Sequence, residues 1–486
     1  MPIIWWMRRD LRLNDNRALQ AALDSGVPVV PLFIADPTII AVPNMGAARL
    51  HFCYASVRAL DERLRAANAG YVVTRRGPAV DVLRDVAAQL GAVRIVANRD
   101  YTPLAQRRDG AVQQRLAEAG IRLDFYEDGT LFAPDEILTK SNQTPYQVYG
   151  PYARRWFQAT PPAPVGAAWP ALPPLNTPPD LPTDPLPALA ELGFEPPQRL
   201  AQQPGEAAAH ARLDEWFDLR RNDSVRQYAT QRNLPAVAGG TSELSAHLRF
   251  GTISPRTLFQ AAQDALSRSN SDECTESIQT WLSELAWRDF YAQLLFHQPR
   301  LLREPYDRDF ADLPWSGEAD LFEAWRSGTT GYPIVDAGMR QLNQSHWMHN
   351  RVRMITASFL VKDLLIAWQR GYDYFMATLV DGDPASNNGG WQWAASTGGP
   401  SAQPWFRIFN PLSQSKKSDP TGDYIRRWIP ALRDVPTRFI HTPWQMSERQ
   451  QAKAHCRIGT DYPAPIVDHE EQRERTLQLY RRAKSG

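Results

Sequence analysis

The sequence predicts a two-part protein: an α/β domain built on a Rossmann-like parallel sheet, then an all-α domain, joined by a long connector. Three observations carry this. Over residues 1–130 short apolar runs alternate with helical patterns, which argues for a parallel sheet covered on both faces. Over 131–205 periodicity fades, and thirteen prolines fall between Pro161 and Pro197, the mark of an interdomain connector. From 206 to 486 every periodic pattern is helical.

In the first part the spacing predicts strands at 3–7, 27–34, 71–74, 93–97 and 121–126, with helices at 48–67, 79–90 and 106–119. No G-x-G-x-x-G follows the first strand, so a nucleotide-like ligand of this domain would sit another way, at the carboxyl ends of the strands. Residues 131–205 read as a tether and not as a folded unit. In the last part the clearest helices are 207–218, 277–298, 336–342, 347–369 and 421–432.

Composition excludes several classes. The net charge is +1, but between Arg340 and Asp434 eleven Lys/Arg stand against seven Asp and no Glu. That excess suits an anionic partner or an ordinary solvated surface. Three dispersed cysteines, Cys53, Cys274 and Cys456, argue for a reducing compartment without disulfides. No His-Glu-x-x-His pattern offers a metal site, and no signal peptide precedes Arg8. The longest apolar stretch, 354–368, is interrupted by Lys362 and Asp363, so no membrane span is expected. These features predict a cytoplasmic protein.

Tryptophan is the oddity: eleven of sixteen lie between Trp281 and Trp444. Residues 381–393 combine two carboxylates, two asparagines, three glycines and two tryptophans. Glycine admits a ligand close to the backbone, amides and carboxylates hold a heteroaromatic edge, and indoles stack. On the 277–298 helix, Trp281, Glu284, Trp287, Arg288 and Tyr291 share about a 120° arc. They form either a pocket wall or a solvated face with a Glu284–Arg288 pair at i,i+4. On the 347–369 helix, Trp347, Asn350, Arg351 and Met354 share about a 100° arc, a pocket wall or a core face. Thr241 to Ser245, after Gly239-Gly240, makes an anion-binding nest or a plain N-cap. There is no Ser–His–Asp ordering and no P-loop.

Four stretches then carry a resemblance: Trp281-Leu-Ser-Glu-Leu-Ala-Trp-Arg-Asp-Phe-Tyr291, Gly331-Tyr-Pro-Ile-Val-Asp-Ala-Gly-Met-Arg-Gln-Leu342, Trp347-Met-His-Asn-Arg-Val-Arg-Met354, and Asp381 through Ser396. With Met7-Arg-Arg-Asp-Leu-Arg-Leu-Asn-Asp-Asn16, they make the chain resemble the DNA photolyase/cryptochrome family. The likeness is closest to the class I photolyases of cyclobutane pyrimidine dimers. The resemblance implies an α/β antenna domain and a helical domain holding FAD. It implies FAD contacts from Tyr228, Thr241, Ser242, Glu243, Leu244, Ser245, Trp281, Asn350, Arg353, Asp381, Gly382, Asp383 and Asn387, with Asn387 facing flavin N5. It implies an electron relay of Trp391, Trp368 and Trp315.

The same resemblance implies a lesion pocket of Glu284, Trp287, Asn350, Met354 and Trp393, with Arg288 and Tyr291 on the same helix face. Arg232, Arg351 and Gln414 would meet phosphates of UV-damaged DNA. The implied activity is light-driven: an electron passes from reduced FAD to the flipped dimer, with Glu284, Asn350 and Asn387 as the residues nearest the chemistry. Asn350 and Met354 stand where (6-4) enzymes carry histidines, and Asn387 where plant-type cryptochromes carry an acid. A flavin photoreceptor without repair is the alternative. Leu302-Arg303 replaces the Cys-Lys pair of folate-binding relatives. The resemblance then favours a deazaflavin or FMN over methenyltetrahydrofolate as second antenna chromophore, with an empty antenna site as the alternative. A monomer is expected.

Overall fold

The computed structural model describes residues 1–315 and 317–485. Five parallel strands form one sheet: β1 (Ile3–Met7), β2 (Val29–Ala35), β3 (Val73–Arg76), β4 (Arg94–Asn98) and β5 (Arg122–Tyr126), in the order β3-β2-β1-β4-β5. All five expected strands form, each within about two residues of its expected bounds. β1 explains why. Its five residues are all buried, and they alternate between two cores. Ile3, Trp5 and Met7 enter the core on one face; Ile4 and Trp6 enter the core on the other. Period-2 alternation between two apolar faces is what a sheet covered on both sides demands. The order reverses direction between β1 and β4, so the carboxyl ends of these two strands border the crevice where α/β sheets usually hold ligands.

The connector differs from the expected tether. Tyr149–Gln158 is a helix whose Tyr152 and Trp156 are buried in the core of the helical half. The Trp156 Nε1–H donates to Asp289 at 3.1 Å, and the Leu131 N–H donates to the same carboxylate at 3.1 Å. Aromatics at 149, 152 and 156 follow helical spacing; Pro151 stands in the first turn, where its missing N–H costs nothing, and the proline-rich run begins only after this helix. The proline-rich stretch itself lies along the sheet: Leu175 O accepts from Val29 N–H at 2.8 Å, and Asp184 N–H donates to Thr74 O at 2.9 Å.

The helical half is built around the long helix Asp272–His297, capped by Ser271, whose hydroxyl accepts from Cys274 N–H. Two expected helices are broken. That over 421–432 forms only Asp423–Trp428, with a 3₁₀ turn at Pro430–Leu432 after it, because Pro430 has no N–H to continue the ladder. In place of a single helix over 347–369 the chain forms Asn350–Ser358, then a π-turn at Phe359–Asp363, then a new helix Trp368–Thr378. Leu365, between them, takes φ 52°. A π-turn accommodates one residue more than an α-turn, and the left-handed residue stops the helix. Trp347 consequently precedes the helix, and His349 caps it by accepting from Arg351 N–H. Helix Pro384–Ala395 follows, with Asp383 as its N-cap accepting from Ala385 and Ser386 N–H.

The two halves are joined by buried ion pairs. Arg256 of the helical half bridges Asp15 (3.0 Å) and Asp128 (2.6 Å), and Arg12 pairs with Asp128 at 2.6 Å. All four side chains are at most 5% exposed, so each charge depends on the others for solvation.

Candidate functional site

A cavity of about 510 Å³ opens in the helical half. The long helix contributes Trp281, Glu284, Trp287, Arg288 and Tyr291, so its mixed face is a cavity wall. The 350–358 helix contributes Asn350, Arg353 and Met354. The 381–393 stretch contributes Asp381, Gly382, Asp383, Asn387, Trp391 and Trp393. Tyr228, Arg232 and the whole turn Thr241, Ser242, Glu243, Leu244 and Ser245 complete the enclosure.

Glu284 does not pair with Arg288. Its carboxylate meets Arg232 at 2.7 Å across the cavity wall. Burial raises the Glu284 pKa, and Arg232 opposes that shift. The Arg288 guanidinium turns away toward the α/β domain, donating to Gly129 O at 2.7 Å and to Leu248 O at 3.4 Å. Arg288 thus lines the cavity while its guanidinium end is held at the domain interface; a long, flexible side chain at i+4 had two directions open to it.

Asp381 accepts from Arg353 at 2.8 Å through Oδ2, and Arg353 is itself fixed by donating to Met348 O at 2.8 Å. The other Asp381 oxygen is buried and has no partner among the described residues, as is the Trp391 Nε1–H. Buried polar atoms without partners ask for a ligand. Asn387 donates through Nδ2 to Tyr372 O at 3.1 Å, and its carbonyl oxygen has no donor among the described residues. In the 241–245 turn, Glu243 takes φ 53°, as a nest requires, and Arg212 fixes the turn by donating to Thr241 O and Ser242 O, both at 2.9 Å. Gly390 has no atom within 4 Å of where a Cβ would stand, so a side chain there would enter the cavity. These features fit a large ligand with a flat ring, polar ring edges and an anionic part.

Asp383 sits at a junction. Burial would raise its pKa, but Arg9, Arg249 and Arg288, with the Ser386 N–H, hold it down at about 2. Arg9 reaches it from the α/β domain at 2.7 Å. Trp287 is covered on one face by Tyr149 of the connector helix, with ring centroids 3.5 Å apart and planes 8° apart.

Four expected residues lie outside this cavity. Arg351 is taken up by Asn233 Oδ1 at 2.8 Å, and Gln414 lies on the Pro411–Ser418 helix. Trp368 opens its helix fully buried, and Trp315 is half-buried between two apolar cores. Gly371, one turn after Trp368, abuts Trp391: a Cβ there would meet the indole Cη2 at 2.0 Å.

Other contributors escaped the sequence reading. Arg249, Phe375, Ser386 and Gly390 line the cavity, and Trp325 packs edge-on to Trp391 at 6.1 Å. Gln392, between the two indoles, has its amide saturated. Nε2 donates to Leu301 O (3.0 Å) and Glu304 O (3.1 Å), and Oε1 accepts from Tyr306 N–H (2.8 Å). Saturated hydrogen bonding on every side identifies a strut; only Ser386 and Gly390, inside the polar stretch, had a sequence signal.

A second, smaller cavity of about 60 Å³ lies at the carboxyl edge of the sheet, bordered by Arg8 and Arg9 after β1 and by Arg99 and Asp100 after β4. Arg9 fills it by bridging Asp100 (3.3 Å) and Asp383 (2.7 Å). No group of three His, Cys, Asp or Glu among the described residues could hold a metal, and none of their helices is long and apolar enough to cross a membrane.

Comparison with known proteins agrees with this geometry. Residues 3–173 match the family described as DNA photolyase, and residues 281–482 match the FAD binding domain of DNA photolyase. A protein of Synechococcus sp. named deoxyribodipyrimidine photo-lyase is 42% identical, covering 100% of this chain and 97% of its own. The crystal structure of a bacterial class III photolyase from Agrobacterium tumefaciens superposes with a TM-score of 0.90 at 39% identity, covering 100% and 98%. A Synechocystis cryptochrome structure gives 0.86 at 29% identity, covering 98% and 99%. A two-part chain whose helical half carries this cavity, matched by the family over both parts and by relatives over its full length, belongs to the DNA photolyase family.

Proposed function

We propose that the protein repairs cyclobutane pyrimidine dimers in UV-damaged DNA, using FAD and light. One observation carries the reading: Asp381, Asp383 and Asn387, the expected flavin contacts, share a single cavity with Trp287, Trp393, Glu284, Asn350 and Met354, the expected lesion contacts. When bound, reduced and excited FAD supplies the electron that opens the dimer. The chain's own residues do the rest. Asp381, held by Arg353, keeps an open carboxylate oxygen toward the ring edge. Asn387 offers an amide oxygen, and the Thr241–Ser245 turn presents backbone N–H groups to the pyrophosphate. Trp287 and Trp393 hold the flipped bases by stacking, and Glu284, its pKa raised by burial, donates or accepts a hydrogen bond at the dimer. Arg232, paired with Glu284, would also meet the DNA backbone at the rim, with Arg351 and Gln414 further out.

Trp391, Trp368 and Trp315 form the proposed relay that keeps the flavin reduced; the Trp391 indole against Gly371 of the Trp368 helix supports its first step. Trp391→Phe should abolish photoreduction while sparing repair by chemically pre-reduced enzyme, read by flavin absorption and by dimer counts. A second ring system does not fit the 60 Å³ cavity at the sheet edge as it stands, against the roughly 300–1,000 Å³ of usual ligand pockets. A deazaflavin or FMN antenna would require Arg9 to move, and the absorption spectrum of purified protein reports whether one is held.

The cryptochrome likeness favours a second reading, a flavin photoreceptor without repair. Illumination of pre-reduced protein with UV-irradiated oligothymidylate separates the two. Dimer-repair activity predicts light-dependent loss of dimers; intact dimers would leave the receptor reading.

A further inference from the structure

The stack on Trp287 comes from outside the helical domain's own sequence. Tyr149 lies at the start of the connector helix, and its ring is parallel to the indole at van der Waals distance. The residue is held at both ends: the ring hydroxyl donates to Ser283 O at 3.0 Å, one turn before Trp287, and the backbone N–H donates to Ser401 Oγ at 2.8 Å. The helix behind it is anchored by buried Tyr152 and by Trp156 on Asp289. Phe290 meets the Trp287 edge at 5.8 Å and Tyr291 tilts against it at 5.4 Å. Tyr149 is not among the residues lining the large cavity, whereas Trp287 is. One indole face is thus covered, and the cavity can use only the other.

We propose that Tyr149 is a positioning residue for lesion recognition, backing Trp287 so that its free face is set before a flipped pyrimidine arrives. A long aromatic side chain at a rim otherwise has to be ordered when ligand binds, and ordering it beforehand improves affinity without a new contact to the ligand. The proposal rests on the reading that Trp287 faces the lesion. It explains why the connector helix carries a tyrosine stacked face to face on an indole of the site, with its edge on Phe290 at 5.7 Å.

The test uses the FAD-bound full chain and a single-stranded oligonucleotide with one thymine dimer, beside its undamaged twin. Loss of one stacked pair should weaken dimer binding by Tyr149→Leu about three- to ten-fold. Binding to undamaged DNA, flavin content and dimer splitting at saturating DNA should hold. Tyr149→Phe, which keeps the ring, should restore affinity. In a Trp287→Leu background Tyr149→Leu should add nothing. Equal loss for damaged and undamaged DNA, or unchanged affinity in Tyr149→Leu while Trp287→Leu weakens binding, overturns the role of Tyr149 alone. Unchanged affinity in Trp287→Leu overturns the lesion reading and this proposal with it. If Tyr149→Leu fails to hold flavin, Tyr149→Met decides by the same criteria.

Discussion

The two cavities are opposite solutions to placing charge beside empty space. At the sheet edge, Arg9, Asp100 and Asp383 fill the crevice with their own ion pairs, and about 60 Å³ remains. In the helical half, charges such as Arg353 and Asp381 are drawn to the wall and paired there, while Gly390 leaves the centre open, and about 510 Å³ remains. The first arrangement holds two domains together; the second keeps room for a ligand. Charge density alone does not mark a binding site; what marks it is whether the charges satisfy each other across the space or along its edge.

The comparison is broken most severely at the closed interface. Arg256→Ala leaves Asp15 and Asp128 buried without their shared cation, and should cost about 3–5 kcal/mol in urea unfolding. Next is the junction. Asp383 has a folded pKa of about 2 against 3.8, so its contribution is present above 3.8 and disappears as pH falls through 2. Its size is ~2 kcal/mol. Wild-type stability should fall more steeply between pH 4 and 2 than that of Asp383→Asn, as measured by chemical unfolding.

Two glycines then sharpen the contrast, Gly371 behind the cavity wall and Gly390 on it. Gly371→Ala drives a methyl into Trp391 and should cost about 1–3 kcal/mol. Gly390→Ala meets nothing and lies inside a helix, so the apoprotein should gain about 0.5–1 kcal/mol. Its flavin content should nevertheless fall, because the methyl stands in the cavity. Equal flavin content in Gly390→Ala and wild type would mean that this wall does not touch the ligand.

The parts of the molecule that repeat were legible in the sequence. The five strands follow from short apolar runs set between helical patterns, and the 381–393 wall follows from a composition no core needs. What was hidden depends on distance or on a single backbone angle. Arg9 and Asp383 are brought together only by the packing of two domains. Glu284 had a plausible partner one turn away in Arg288 and took Arg232, because a rotamer choice leaves no periodic trace. The connector helix was masked by Pro151 within it and by the proline run after it, although Tyr149, Tyr152 and Trp156 had the right spacing.

The π-turn at Phe359–Asp363 has a consequence for which changes in chain length the molecule can absorb. Removing one residue from it would allow an ordinary helix to run on, turning everything downstream by about 100° and drawing it back by about 1.5 Å. Trp368 and Gly371 would then meet Trp391 out of phase. The turn counts residues, and a deletion there should misalign the proposed relay even where every side chain survives.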